Sequence, residues 1–226
     1  MRHLLLLALL LATGPALALE GSAAEGRIKV YTCTGCHGID GYRNAYPDYH
    51  VPKIHRQNRE YIVAALNAYR AGERTHPTMR AQGESLSDQD IADIAAYLST
   101  ADYPVPRSRV QTPVLRNGLL AALLYSLSLG AVAAVEGHPE AGQKKAQPCQ
   151  ACHGADGDKT IDPQYPRLAG QYADYLAKSL RDYQTGSRKS ASMAGFAATL
   201  SEQDIADLAA FYASQPGALE DLSHLE

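Results

Sequence analysis

Tryptophan is absent from the 226-residue chain and phenylalanine occurs only twice, so fourteen tyrosines supply nearly all of its aromatic surface. Each buried ring then brings a hydroxyl that needs a partner, a composition suited to packing beside a polar-edged group. Neither sign of charge dominates: 21 lysines and arginines face 24 aspartates and glutamates, for a net charge of −3. On that balance neither nucleic acid nor a strongly anionic surface is an expected partner. Glycine and proline follow no repeat period, and the 46% hydrophobic and 20% charged content is ordinary for a globular protein. Collagen-like, disordered and coiled-coil classes are thereby excluded. Sulfur is scarce as well, with four cysteines and three methionines in all.

What is present begins with the first residues. Met1-Arg2-His3 precedes an uncharged run from Leu4 to Leu19 that holds the A-x-A pattern Ala16-Leu17-Ala18. This is the layout of a secretory signal peptide, residues 1–18, cleaved after Ala18; an uncleaved anchor is the competing reading. Either reading delivers the chain outside the cytoplasm, where unpaired cysteines are normally oxidised to disulfides. The four cysteines therefore need an explanation.

They occur as Cys33-Thr34-Gly35-Cys36-His37 and Cys149-Gln150-Ala151-Cys152-His153, with none left over. In a Cys-x-x-Cys-His run the two thiols add to the vinyl groups of a haem, and the adjacent imidazole reaches the iron from one side. The short spacing holds all three bonds on one turn of chain. The expectation is two covalently bound haem c groups, one on Cys33, Cys36 and His37 and one on Cys149, Cys152 and His153. A four-cysteine zinc site is the main rival. It leaves both histidines unexplained, and it needs one site to join motifs 116 residues apart. A thioredoxin-like redox pair wants a βαβ setting, which neither motif has.

Repetition extends well beyond the cysteines. An offset of 114 places Tyr61-Ile62 on Tyr175-Leu176, Met79 on Met193, and the run Leu86 to Asp93 on Leu200 to Asp207. The cysteine motifs align at 116 instead, so the first half carries two extra residues between His37 and Pro52. Two duplicated domains are expected, which also suits the length. Apart from Met1, only Met79 and Met193 are available as sulfur ligands, 42 and 40 residues after their histidines. They are the candidate sixth ligands, the metal set being His37, Met79, His153 and Met193. A thioether opposite histidine raises the reduction potential relative to a second histidine. His76, three residues before Met79, is the rival in the first half, while His50 and His55 read as surface or packing residues.

Helical spacing links Tyr61-Ile62, Ala65-Leu66 and Tyr69, and likewise Tyr175-Leu176, Leu180 and Tyr183. It predicts an amphipathic helix in each half, ended by Gly72 and Gly186. Ser87-x-x-Asp90 and Ser201-x-x-Asp204 then open a capped C-terminal helix, with the methionine on a loop between the two. The segments Gly26 to Tyr31 and Glu140 to Ala146 are also expected to be helical.

On these residues the sequence resembles class I cytochromes c, and specifically the dihaem cytochrome c4 family, over nearly all of 20–103 and 136–217. The second half is the closer match, through Cys149 to Gly157, Tyr165-Pro166-Arg167-Leu168-Ala169-Gly170-Gln171 and Met193-Ala194-Gly195. The first half departs where Ile54-His55-Arg56 stands in place of Leu168-Ala169-Gly170. The resemblance implies an all-α fold of two tandem cytochrome c domains whose haem edges face each other. It also implies that Pro52 and Pro166 lend their carbonyls to the axial imidazoles. The implied function is that of a periplasmic electron carrier, not an enzyme. Its implied partners are redox proteins such as a quinol:cytochrome c oxidoreductase and a terminal oxidase or reductase. The alternative is the haem subunit of an enzyme, such as a flavocytochrome sulfide dehydrogenase or a thiosulfate-oxidising dihaem enzyme; a membrane-bound assembly factor with structural haems is a weaker third reading.

One segment stands apart. A Pro- and Arg-rich linker from Pro104 to Arg116 precedes nineteen uncharged residues, Asn117 to Val135, so 104–135 reads as a linker with an apolar helix and 218–226 as a tail. The apolar stretch is just long enough to span a bilayer. It also resembles a second signal peptide fused in place. A single crossing would strand one haem domain in the cytoplasm, and the arginines before it favour the wrong orientation. The expectation is a fusion relic on the membrane surface or against the domains, with a true inner-membrane span as the open alternative. The second domain is the more acidic, 13 acidic against 8 basic residues over 136–226 compared with 11 against 9 over 20–103. It is the half expected to steer toward a basic docking site.

Overall fold

The computed structural model describes residues 19–45, 48–100 and 135–223. The signal peptide, the linker with all but the last residue of the apolar stretch, and the end of the tail lie outside the described residues. Among those described, no helix is long and apolar enough to cross a membrane.

Among the described residues the chain forms two matching sets of five helices, with isolated bridges and no strands. The first set is α1 (Ala23–Lys29), α2 (Tyr31–His37), α3 (Arg59–Arg70), α4 (Pro77–Ser85) and α5 (Asp88–Leu98). The second is α6 (Pro139–Lys145), α7 (Gln147–His153), α8 (Ala173–Thr185), α9 (Ala191–Ala197) and α10 (Glu202–Ser214). The all-α expectation holds.

The last helix of each set is fixed at its start. Ser87 and Ser201 each accept from the backbone of the residue three places on, and Asp90 and Asp204 reach back to the cap backbone. These are complete capping boxes. Each helix then buries a stripe, Ile91, Ile94 and Leu98 in α5 and Ile205, Leu208 and Tyr212 in α10, each side chain contributing roughly 1.5–3 kcal/mol.

Against these helices α1 and α6 cross very closely. A Cβ on Gly26 would lie 2.0 Å from the Asp93 carbonyl oxygen, and one on Gly142 the same distance from that of Asp207. Only glycine fits either crossing. The same two aspartates, each 2% exposed, tie the crossing electrostatically. Asp93 accepts from Ser22 N–H at 2.7 Å and from Lys29 Nζ at 2.5 Å. Asp207 accepts from His138 N–H at 2.9 Å and from Lys145 Nζ at 2.7 Å. The Lys145 ammonium and the His138 amide hold the Asp207 carboxyl down at about 2.

The two sets meet along a seam with approximate two-fold symmetry. Gln171 Oε1 accepts from Lys53 N–H at 3.0 Å while its Nε2 donates to Lys53 O at 2.9 Å. Gln57 does the same to Arg167, accepting from its N–H at 2.8 Å and donating to its carbonyl at 3.1 Å. Thr75 N–H donates to Ser187 O at 2.9 Å and Lys189 N–H to Glu73 O at 2.9 Å. Gln57 and Gln171 are both buried, so breaking either pair would leave amide groups with no solvent to replace it.

Candidate functional site

Each Cys-x-x-Cys-His motif occupies its own seven-residue helix, α2 or α7. The four cysteines are unpaired. Burial pushes the Cys33 and Cys149 thiols up. The tyrosine hydroxyl of Tyr212 lies beside Cys149.

Both histidines sit at the last position of their helices. His37 Nδ1 lies 2.8 Å from Pro52 O, and His153 Nδ1 lies 2.9 Å from Pro166 O. A carbonyl only accepts, so each Nδ1 carries the proton and donates it, leaving the Nε2 lone pair as the coordinating atom. Burial lowers both imidazoles, outweighing the proline carbonyls that act the other way; His76 adds to the lowering at His37 and Arg188 at His153. Neutral imidazole is the form that binds a metal.

Met79 and Met193 differ from the loop expected for them. Each is the third residue of a short helix, α4 or α9, and each is half-buried. Those helices form because their first turns are capped: His76 Nδ1 accepts from Met79 N–H at 3.2 Å, and Ser190 Oγ from Met193 N–H at 3.4 Å. Pro77 supplies a preset φ at the first position of α4. His76 is therefore the structural equivalent of Ser190, with one ring nitrogen engaged in the cap and its ring edge-on to Tyr49 and Tyr69. His50 is half-buried at the seam, 2.7 Å from Asp174 and stacked on Tyr172. His55 is buried at 4% exposure, beside Tyr97 and 3.4 Å from Glu220.

Sequence reasoning missed a cationic cluster at the seam. Arg74 and Arg188, each 7% exposed, cross over to the opposite half: Arg74 donates to Tyr175 Oη at 3.1 Å and Arg188 to Tyr61 Oη at 2.5 Å. Each guanidinium also covers a tyrosine of its own half, Tyr69 at 4.3 Å and Tyr183 at 4.7 Å. Burial opposes ionisation of Tyr175, but the two guanidiniums outweigh it and bring the phenol down to about 8. Among the described residues neither arginine has a carboxylate within salt-bridge reach. Two buried cations without an anion are unfavourable, and a prosthetic group that brings carboxylates of its own, as haem does, would relieve that. The signal was available: Arg74 and Arg188 sit at the 114-residue offset, as do Gln57 and Gln171. The unpaired thiols, the oriented imidazoles and this cluster all fit haem c.

Comparison with known proteins agrees. The cytochrome c family model matches residues 23–102 and again 139–215. A cytochrome c4 from Stutzerimonas stutzeri is 41% identical over 209 residues, covering 84% of this chain and 88% of that protein. A thiosulfate dehydrogenase electron acceptor from Stutzerimonas stutzeri strain A1501 is 27% identical over 215 residues, 88% of this chain and 89% of that protein. The crystal structure of reduced recombinant cytochrome c4 from Pseudomonas stutzeri matches with a TM-score of 0.61 at 28% identity, over 87% of this chain and 100% of that one. With two matched domains, each carrying its own attachment helix and oriented imidazole, the chain belongs to the cytochrome c family, as a cytochrome c4 that holds two covalently bound haem c groups and carries electrons.

Proposed function

We propose that His37 and Met79 bind one haem iron and His153 and Met193 the other. Cys33 with Cys36 and Cys149 with Cys152 are the thioether anchors, and Pro52 and Pro166 hold the imidazoles. The domains run over 20–103 and 136–217. The observation that carries this reading is made twice: an imidazole whose Nδ1–H is engaged by a proline carbonyl, in a half that contains one methionine after its motif, at an equivalent position. Bound haem supplies a one-electron ferric–ferrous couple. The chain supplies attachment, a fixed imidazole tautomer and a thioether.

With a thioether on each iron both sites are closed, so the protein transfers electrons and transforms no substrate. We place the mature protein in the periplasm after removal of residues 1–18. Its donors and acceptors are redox proteins. The likeness to a thiosulfate dehydrogenase electron acceptor supports a dehydrogenase of reduced sulfur compounds as one donor, beside a quinol:cytochrome c oxidoreductase, with a terminal oxidase or reductase downstream.

The test is the sulfur-to-iron charge-transfer band. The mature protein is expected to carry two haems by mass and to show the band at full strength. Met79→Ala and Met193→Ala should each remove about half of it and open that haem to cyanide. A band untouched by both substitutions would refute the assignment.

A further inference from the structure

After α10 the chain bends at Gln215 and again at Ala218 and crosses to the other half. Ala218 N–H donates to Asp158 Oδ1 at 2.9 Å. His55 and Glu220 then exchange both backbone hydrogen bonds, at 3.0 and 3.2 Å. The Glu220 carboxylate reaches Arg56 at 3.3 Å and His55 at 3.4 Å. Two residues on, Leu222 N–H donates to the carbonyl of His37 at 2.8 Å. Its side chain is 0% exposed, inside the first-half cluster of Val30, Ile62, Ile94, Tyr97 and Leu98.

Comparison of the halves shows what this segment replaces. The offset of 114 sets Leu98 against Tyr212 and Arg56 against Gly170. In the second half the Tyr212 ring is 4% exposed and packs so tightly on Gly157 that a Cβ there would lie 2.7 Å from it. At the matching Gly41 a Cβ would meet nothing within 4 Å. The second half thus fills this corner from its own last helix. The first half has the smaller Leu98 there, and the Leu222 isobutyl group joins its core from the opposite end of the chain. Among the described residues no backbone hydrogen bond from outside α7 reaches the carbonyl of His153.

We propose that residues 218–222 form a strap by which the second half positions the haem-bearing helix α2, with Leu222 as its anchor and Glu220 as its guide. The properties of the first haem then depend on a segment that is chemically remote from it. The inference rests on His37 being an iron ligand. The physical reason is that α2 has seven residues, too few to hold its own conformation, and its terminal carbonyls need donors that the helix cannot supply. Leu222 provides one donor and an apolar plug at the residue that bears the imidazole.

The experiment compares peptide-resolved amide hydrogen exchange and haem potentials in the haem-loaded full chain and in Leu222→Ala, Leu222→Val and Leu222→Met. Leu222→Ala is expected to speed exchange in Tyr31–His37 by about tenfold or more, with Gln147–His153 within about twofold of the parent. The potential that Met79→His displaces should move, and the one that Met193→His displaces should stay. Leu222→Met, which conserves volume, should restore both readouts. Should Leu222→Ala not fold, Leu222→Val is expected to give the same selectivity at about threefold. Unchanged exchange in Tyr31–His37, or equal acceleration in both attachment helices, would overturn the strap. Failure of the ligand assignment is distinguishable, because it appears in the unaltered chain as a missing charge-transfer band.

Discussion

The first and second halves share a scaffold down to individual hydrogen bonds, and one of the places where they diverge is a corner. The glycine crossing, the buried aspartate with its lysine, the capping box and the proline-held imidazole all occur twice. At the corner after the proline, Gly170 of the second half has φ 72° and passes its N–H to Tyr212 O at 3.0 Å. Arg56 of the first half makes the same bond to Leu98 O at 2.6 Å with φ 59°, the one left-handed non-glycine residue among those described. A left-handed backbone costs an L-residue about 1–2 kcal/mol. The ion pair of Arg56 with Glu220 and the burial of Leu222 compensate from the tail. A duplicated fold can therefore lose a local solution in one copy when the other copy supplies a segment in its place.

Four measurements would break or sharpen that contrast. The largest effect is expected from removing an attachment site. Cys33→Ala/Cys36→Ala and Cys149→Ala/Cys152→Ala should each yield protein lighter by one haem in mass spectrometry, with the helices around the missing group losing cooperative unfolding. Equal outcomes would show that the two sites load independently. Next come Gly26→Ala and Gly142→Ala, which place a methyl 2.0 Å from a carbonyl oxygen. Each should lower stability by about 1–3 kcal/mol or more in denaturant titration. A large gap between the two would contradict the equivalence of the crossings.

The third measurement uses pH. Asp207 is held down at about 2 when folded, against about 4 in an unfolded chain. A depressed carboxylate contributes stability that is present above its unfolded value and is lost as pH falls through the folded one. Stability should therefore decline between about pH 4 and pH 2, and Asp207→Asn should flatten that decline. Asp93, lowered by Lys29 in the same direction, should behave alike. The smallest effect tests the corner itself. Gly170→Ala should destabilise the second half by about 1–2 kcal/mol. Arg56→Gly should stabilise the first by less, since relief of backbone strain is offset by loss of a surface ion pair of about 0–1 kcal/mol. Thermal unfolding of each half reads both.

Much of this is legible in the sequence itself. The motifs, the offset of 114, the capping serines and the glycines that end α3 and α8 are local or periodic features, and local chemistry writes them into short stretches of chain. The cap by His76 was harder to read, because a histidine near a methionine suggests a competing ligand, and its match to Ser190 means nothing until both are seen at a helix start. The buried arginine pair was present in the offset but carried no motif. Its meaning depends on which side chains face it across the seam.

By itself the sequence determined that the chain is helical, that it is built twice, and that each copy attaches one haem, because covalent spacing and helical period are properties of neighbouring residues. Only the tertiary structure decided how the copies face each other through Gln57, Gln171, Arg74 and Arg188, and where residues 218–222 return. Those contacts join positions more than a hundred residues apart, and no local preference encodes them. They exist because burying amides, guanidiniums and a leucine against the opposite half satisfies groups that each half alone would leave exposed or unpaired.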